Sequence, residues 1–122
     1  MSDSPIEIVR DGALSELVLS RPERRNAITG PLADALLESV RRVEADADTN
    51  AILLRGSGGA FCSGLDLKEF NADPAPEWLP SFREKWLDVH VALAECSKPL
   101  VVALERFAIN GGAALALSLI HI

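Results

Sequence analysis

Two glycine-centred turns hold the residues of this chain whose type and spacing best suit chemistry. In the first, Gly59-Ala60-Phe61-Cys62-Ser63-Gly64-Leu65-Asp66-Leu67-Lys68-Glu69-Phe70 follows a short apolar run and opens into a predicted helix, with Asp66 able to cap it through its carboxylate. Amides at a helix start lack intrahelical partners and carry partial positive charge, so the Leu65 N–H can donate to an anion or a polarised carbonyl. A tight turn permitted by Gly64 is the plainer alternative, and glycine alone does not exclude it. The second turn, Ile109-Asn110-Gly111-Gly112-Ala113, repeats the arrangement after a second apolar run. Two such turns on neighbouring layers can aim two N–H donors at one oxygen, which is the requirement for stabilising negative charge on a carbonyl.

Other reactive side chains offer less. Arg21, Arg24 and Arg25 fall within five residues; guanidinium groups suit phosphate, although a solvated loop has the same composition. Cys62 and Cys96 are the two cysteines, without a C-x-x-C spacing or a neighbouring histidine pair. Neither a disulfide framework nor a metal site is indicated, and Cys62 reads as a small buried hydrophobe beside Phe61. His90, on an apolar stripe, reads as a packing histidine. Ser63 lacks the G-x-S-x-G elbow of a serine hydrolase. Gly56-Ser57-Gly58-Gly59 is no phosphate loop, because Phe61 stands where G-x-G-x-x-G needs glycine.

These turns need elements to position them, and 122 residues of which 48% are hydrophobic and 25% charged suffice for one core. A net charge of −6 disfavours nucleic acid and acidic membranes as partners. The first residues show no secretory pattern and no apolar run reaches bilayer length, so a reducing cytoplasmic compartment is expected. Residues 6–9 and 14–19 read as β-strands joined by a tight turn at Asp11-Gly12. Thr29 is an N-cap candidate for a helix over residues 31–45, whose Leu32, Leu36, Val40 and Val43 form one apolar stripe. Residues 51–54 and 100–104 read as strands covered on both faces, as in a parallel sheet layered with helices. Residues 71–80, with three prolines, read as a variable loop. Phe82, Trp86, Val89, Leu93 and Cys96 then share a face of another helix. Strands alternating with helices predict a layered α/β architecture.

Three segments in order, LSRPERRNA over residues 19–27, GAFCSGLDLKEF over 59–70 and KPLVVALERFAINGGAALAL over 98–117, resemble the crotonase (enoyl-CoA hydratase/isomerase) superfamily. The resemblance covers nearly the whole chain. It implies an α/β fold built as a ββα spiral, here only its N-terminal half, and an activity on acyl-CoA thioesters with no separate cofactor, coenzyme A arriving as part of the substrate. It also implies homotrimers or hexamers. By motif match the oxyanion amides are those of Leu65 and Gly111, and Arg24, Arg25, Ala27, Ser63, Gly64, Asp66 and Leu67 lie along the substrate. The sequence departs from the family where hydratases carry a glutamate three residues after Gly111, since that residue is Ala114. Alanine cannot move a proton, which disfavours two-glutamate hydration and favours isomerisation or other one-base enolate chemistry. A catalytically silent acyl-CoA-binding relative is the alternative. Residues 1–117 are expected to form a partial domain, 118–122 a truncated or non-native tail, and the segment alone to leave apolar faces uncovered.

Overall fold

A computed structural model describes residues 4–104 of the chain, so Gly111, Ala114 and the tail lie outside the described residues. Strands β1 (Ile6–Asp11) and β2 (Leu14–Leu19) pair antiparallel, from Ile6 opposite Leu19 to Asp11 opposite Leu14. Gly12 and Ala13 make the turn, Gly12 at a φ of 60° that a β-carbon disfavours. β1 runs two residues beyond the apolar pattern, because on this edge strand Arg10 and Asp11 complete the ladder while their side chains stay in water.

Helix α1 (Gly30–Ala45) begins where Thr29 Oγ1 accepts the Leu32 N–H at 3.2 Å. Its Leu32, Leu36, Val40 and Val43 are buried, as the stripe predicts. Strand β3 (Ala51–Gly56) lies parallel to β2, and β4 (Leu100–Val102) lies parallel to β3, giving a mixed sheet in the order β1-β2-β3-β4. Helix α3 (Phe82–Ala94) packs along α1. Leu17, Leu19, Ile52, Leu54 and Leu100 from one sheet face join Leu36, Val40, Val89 and Leu93 in a single core.

Of the two faces expected to be covered, the described residues supply a helical layer to one. The residues alternating with that core set include Val101, 62% exposed, half-buried Leu53 and a Glu16–Arg55 ion pair at 2.8 Å. Among the described residues the helices pack on one face, while Val18 on the other face is also buried. β4 is also shorter than the five-residue run suggests, since its ladder to β3 ends at Val102 opposite Leu54.

Residues 71–81 are less independent of the core than a variable loop. Trp78 meets Phe70 edge-on at a 5.0 Å centroid separation, and Phe70 meets Phe82 at 4.8 Å. Such edge contacts add to the area burial that fastens this loop to α3. Gly30 is required beneath it, because a β-carbon there would come within 2.5 Å of the Trp78 ring. Lys98 Nζ donates to the Val43 and Asp46 carbonyls at the α1 terminus, a favourable end for a cation. No described helix is long and apolar enough to cross a membrane.

Candidate functional site

After β2 the chain passes through a 3-10 turn at Pro22–Arg24 and then places two consecutive non-glycine residues, Arg25 and Asn26, in the left-handed region at φ 52° and 56°. That conformation is uncommon for residues with a β-carbon, asparagine tolerating it best. Asn26 is fully buried and holds it in place. Its Oδ1 accepts the Arg21 N–H at 2.8 Å, and its Nδ2 donates to the Ser57 and Ala60 carbonyls at 3.0 and 3.1 Å. The reversal lays residues 25–28 beside residues 63–66. The Ser63 N–H donates to Arg25 O at 3.1 Å, the Ile28 N–H to Gly64 O at 2.8 Å, and the Asp66 N–H to Ile28 O at 2.9 Å.

The direction of the Leu65 amide follows from those bonds. Ile28 and Leu65 form a parallel bridge, which engages the groups flanking Leu65 and turns its own N–H and C=O away from Ile28. Gly64 O and the Leu65 N–H belong to one trans peptide and point oppositely, so the bond from Ile28 to that oxygen aims the N–H outward. No described residue accepts from it. Gly64 sits at φ 96°, outside the reach of other residues without strain, which is why glycine precedes the donor.

Asp66 caps the next helix as expected, its Oδ1 accepting the Glu69 N–H at 3.2 Å. That helix, α2 (Leu67–Phe70), is a single turn, so its dipole adds little to the Leu65 amide and the donor depends on local bonding instead. The Asp66 side chain is 1% exposed and gripped by two arginines. Arg24 donates to Oδ1 at 2.6 Å and to Oδ2 at 3.2 Å, and Arg21 donates to Oδ2 at 3.2 Å and to Ala27 O at 2.6 Å. Burial would raise the Asp66 pKa, but the bonds from Arg24, the Glu69 N–H and Arg21 outweigh it and hold the carboxyl below its ordinary range. The same hydrogen bond, with the Asp66 charge, raises the Arg24 pKa.

Arg24, Arg25, Ala27, Leu65, Asp66 and Leu67 line one open groove of about 450 Å³, together with Glu23 and Lys68. Ser63 and Gly64, half-buried and buried, are not among the residues that line it. Gly111 lies outside the described residues. A larger cavity, about 540 Å³, is lined by Ser20, Arg21, Thr29, Glu69 and Trp78 among others. We take the smaller groove as the candidate site because it is lined by Leu65, whose N–H has no acceptor among the described residues. The sequence reading missed Asn26, and gave Arg21 no place in the site. An asparagine between two positions needing chain reversal was the available signal.

The remaining candidates stay structural. Cys62 is fully buried, and burial pushes its thiol up, offset in part by a hydrogen bond from the Gly64 amide. His90 packs edge-on against Trp86 at 5.0 Å, and burial lowers its pKa.

The family model described as enoyl-CoA hydratase/isomerase matches residues 10–119. The chain is 34% identical over 120 residues to 4-chlorobenzoyl coenzyme A dehalogenase-1 of an Arthrobacter species, covering 96% of this chain and 44% of that protein. It is 36% identical over 104 residues to 1,2-epoxyphenylacetyl-CoA isomerase of Escherichia coli K12, covering 83% and 40%. A crystal structure of an enoyl-CoA hydratase/isomerase from Xanthobacter autotrophicus Py2 superposes with a TM-score of 0.84 at 33% identity, covering 96% of this chain and 44% of that one. The chain therefore spans less than half the length of these relatives, and its mixed sheet with flanking helices is part of their fold. With a match running through nearly all of its residues, the chain belongs to the enoyl-CoA hydratase/isomerase family.

Proposed function

We propose that the protein carrying this chain binds acyl-CoA thioesters and stabilises the thioester enolate with two backbone N–H donors, at Leu65 and Gly111. The reading is supported by the Leu65 N–H, turned away from Ile28 by the Ile28–Gly64 hydrogen bond, unpaired among the described residues and belonging to a residue that lines the groove. Charge developing on the thioester oxygen would meet a donor already oriented, so no reorganisation is needed as the bond changes. Loss of one such donor typically costs about a hundredfold or more in rate. Arg24 and Arg25 on the same groove suit the phosphates of coenzyme A, and exposed Leu67 offers an apolar rim to the rest of the ligand. Coenzyme A enters as part of the substrate, and no further cofactor is invoked.

Ala114 steers the reaction type. Without a carboxylate at that position one of the two groups that hydration uses is missing, so isomerisation or another one-base enolate reaction fits better. The names of the dehalogenase and the epoxide isomerase among the relatives also describe reactions other than hydration. The same alanine supports a second reading, a catalytically silent acyl-CoA-binding protein. Melting temperature with and without a saturating acyl-CoA tests the shared part. At a hundred times Kd a ligand of the folded state adds about 2.7 kcal/mol, and no rise in Tm would refute thioester binding. Turnover of an enoyl-CoA panel then separates enzyme from silent binder.

A further inference from the structure

We propose that Asp66 is the positioning residue for the Leu65 donor, its arginine-gripped carboxylate locking the peptide that turns the N–H away from Ile28 and leaves it open to a ligand. The inference rests on the reading of Leu65 as a thioester donor and adds what keeps that donor in place. Asp66 directly follows Leu65, and its own N–H is bonded to Ile28 O at 2.9 Å. Its carboxylate, 1% exposed, carries the tie onward to Arg24 and Arg21, and Arg21 closes it by donating to Ala27 O at 2.6 Å. Both strands that define the donor are thereby cross-linked through one side chain. A cap for the single-turn α2 would need one acceptor site, whereas this carboxylate takes three bonds from guanidinium groups besides.

The charge serves a second end. Arg24 lines the groove with a side chain 34% exposed, yet its guanidinium is held in two bonds to Asp66. Asp66 therefore bears on both the aim of the donor and the freedom of a cation on the same groove. Removing the carboxylate should weaken the donor without weakening the cation's hold on a phosphate, a split that general loss of folding does not produce.

The test compares the full-length protein with Asp66→Asn and Asp66→Ala variants, using 2,4-hexadienoyl-CoA and free coenzyme A as probes. Asparagine keeps the volume and the capping oxygen but not the charge that grips arginine. Hydrogen bonding to the thioester oxygen red-shifts the dienoyl absorption, and free coenzyme A has no such oxygen. In both variants we expect the red shift to shrink and dienoyl-CoA affinity to fall about tenfold, the effect of one hydrogen bond, while free coenzyme A binds unchanged or tighter. A red shift kept in full by folded variants would overturn the positioning role. So would parallel loss of both ligands with a collapsed Tm in Asp66→Asn, which would assign Asp66 to folding alone. Wild-type protein that binds the dienoyl-CoA without any red shift would instead refute the Leu65 donor itself. If Asp66→Ala does not fold, Asp66→Asn decides the question.

Discussion

Replacing Asn26 should damage this protein more than any surface rule suggests, and the cost divides into two measurable parts. Asn26→Ala removes the acceptor of the Arg21 N–H and the donor shared by the Ser57 and Ala60 carbonyls. Each group left without a partner in or near the core costs about 1 kcal/mol, so the three together cost about 3 kcal/mol. Alanine must also hold a φ near 56°, which adds roughly 1 kcal/mol. Asn26→Gly loses the same hydrogen bonds without that backbone penalty, so it should be less damaging than alanine by roughly 1 kcal/mol. Urea unfolding of the three proteins, followed by tryptophan fluorescence, measures both differences. Equal stability of the alanine and glycine variants would refute the backbone part, and an alanine cost below about 1 kcal/mol would refute the hydrogen-bond part.

Gly56→Ala drives a β-carbon to 2.0 Å from Ala60 O and 2.6 Å from Phe61 O, both backbone, so a loss of about 3 kcal/mol or more is expected; the nearest atoms that Gly30→Ala meets belong to the Trp78 side chain, so it should cost less while shifting tryptophan emission. Unfolding midpoints of the two check this order. The folded Asp66 carboxyl has a lower pKa than the unfolded one, so its stabilisation is complete above about pH 4 and is lost as pH falls through the folded value; Asp66→Asn should flatten that acid limb. The His90 pKa is also lowered, by burial, so the unfolded imidazole protonates first: stability is full above about pH 6.5 and declines below it, and His90→Gln should remove that decline in pH-dependent melts. A disulfide reagent at neutral pH should label half-buried Cys96 in the native protein and buried Cys62 only on unfolding; equal native rates would refute the packing described for Cys62.

Much of the scaffold was legible because it is written locally. The Thr29 cap and the stripe of Leu32, Leu36, Val40 and Val43 depend on neighbours within a few residues and stand where capping and periodicity put them, while the turn expected at Asp11-Gly12 falls one residue later, at Gly12-Ala13. The position of Leu65 after a glycine was legible for the same reason. Its orientation was not, since that depends on Ile28, a partner 37 positions away by sequence number. Asn26 escaped notice because its partners at Ser57 and Ala60 are equally remote, and because left-handed asparagine has only a weak local signature. The arginine cluster left two readings open, phosphate ligands or a solvated loop, and the described residues show a third arrangement in which Arg21 and Arg24 hold Asp66. At β3 and β4 an unbroken apolar run does not reveal which layer lies on each side, and the described residues supply the helical layer on one of them.

The Leu65 amide proton can be followed directly. In 15N-labelled full-length protein, saturating acyl-CoA should move the Leu65 N–H resonance strongly downfield, as a proton entering a hydrogen bond does, while free coenzyme A, which lacks the thioester carbonyl, should leave it near its unliganded position. A Leu65 resonance that shifts equally with both ligands, or with neither, would contradict the assignment of this amide to the thioester oxygen.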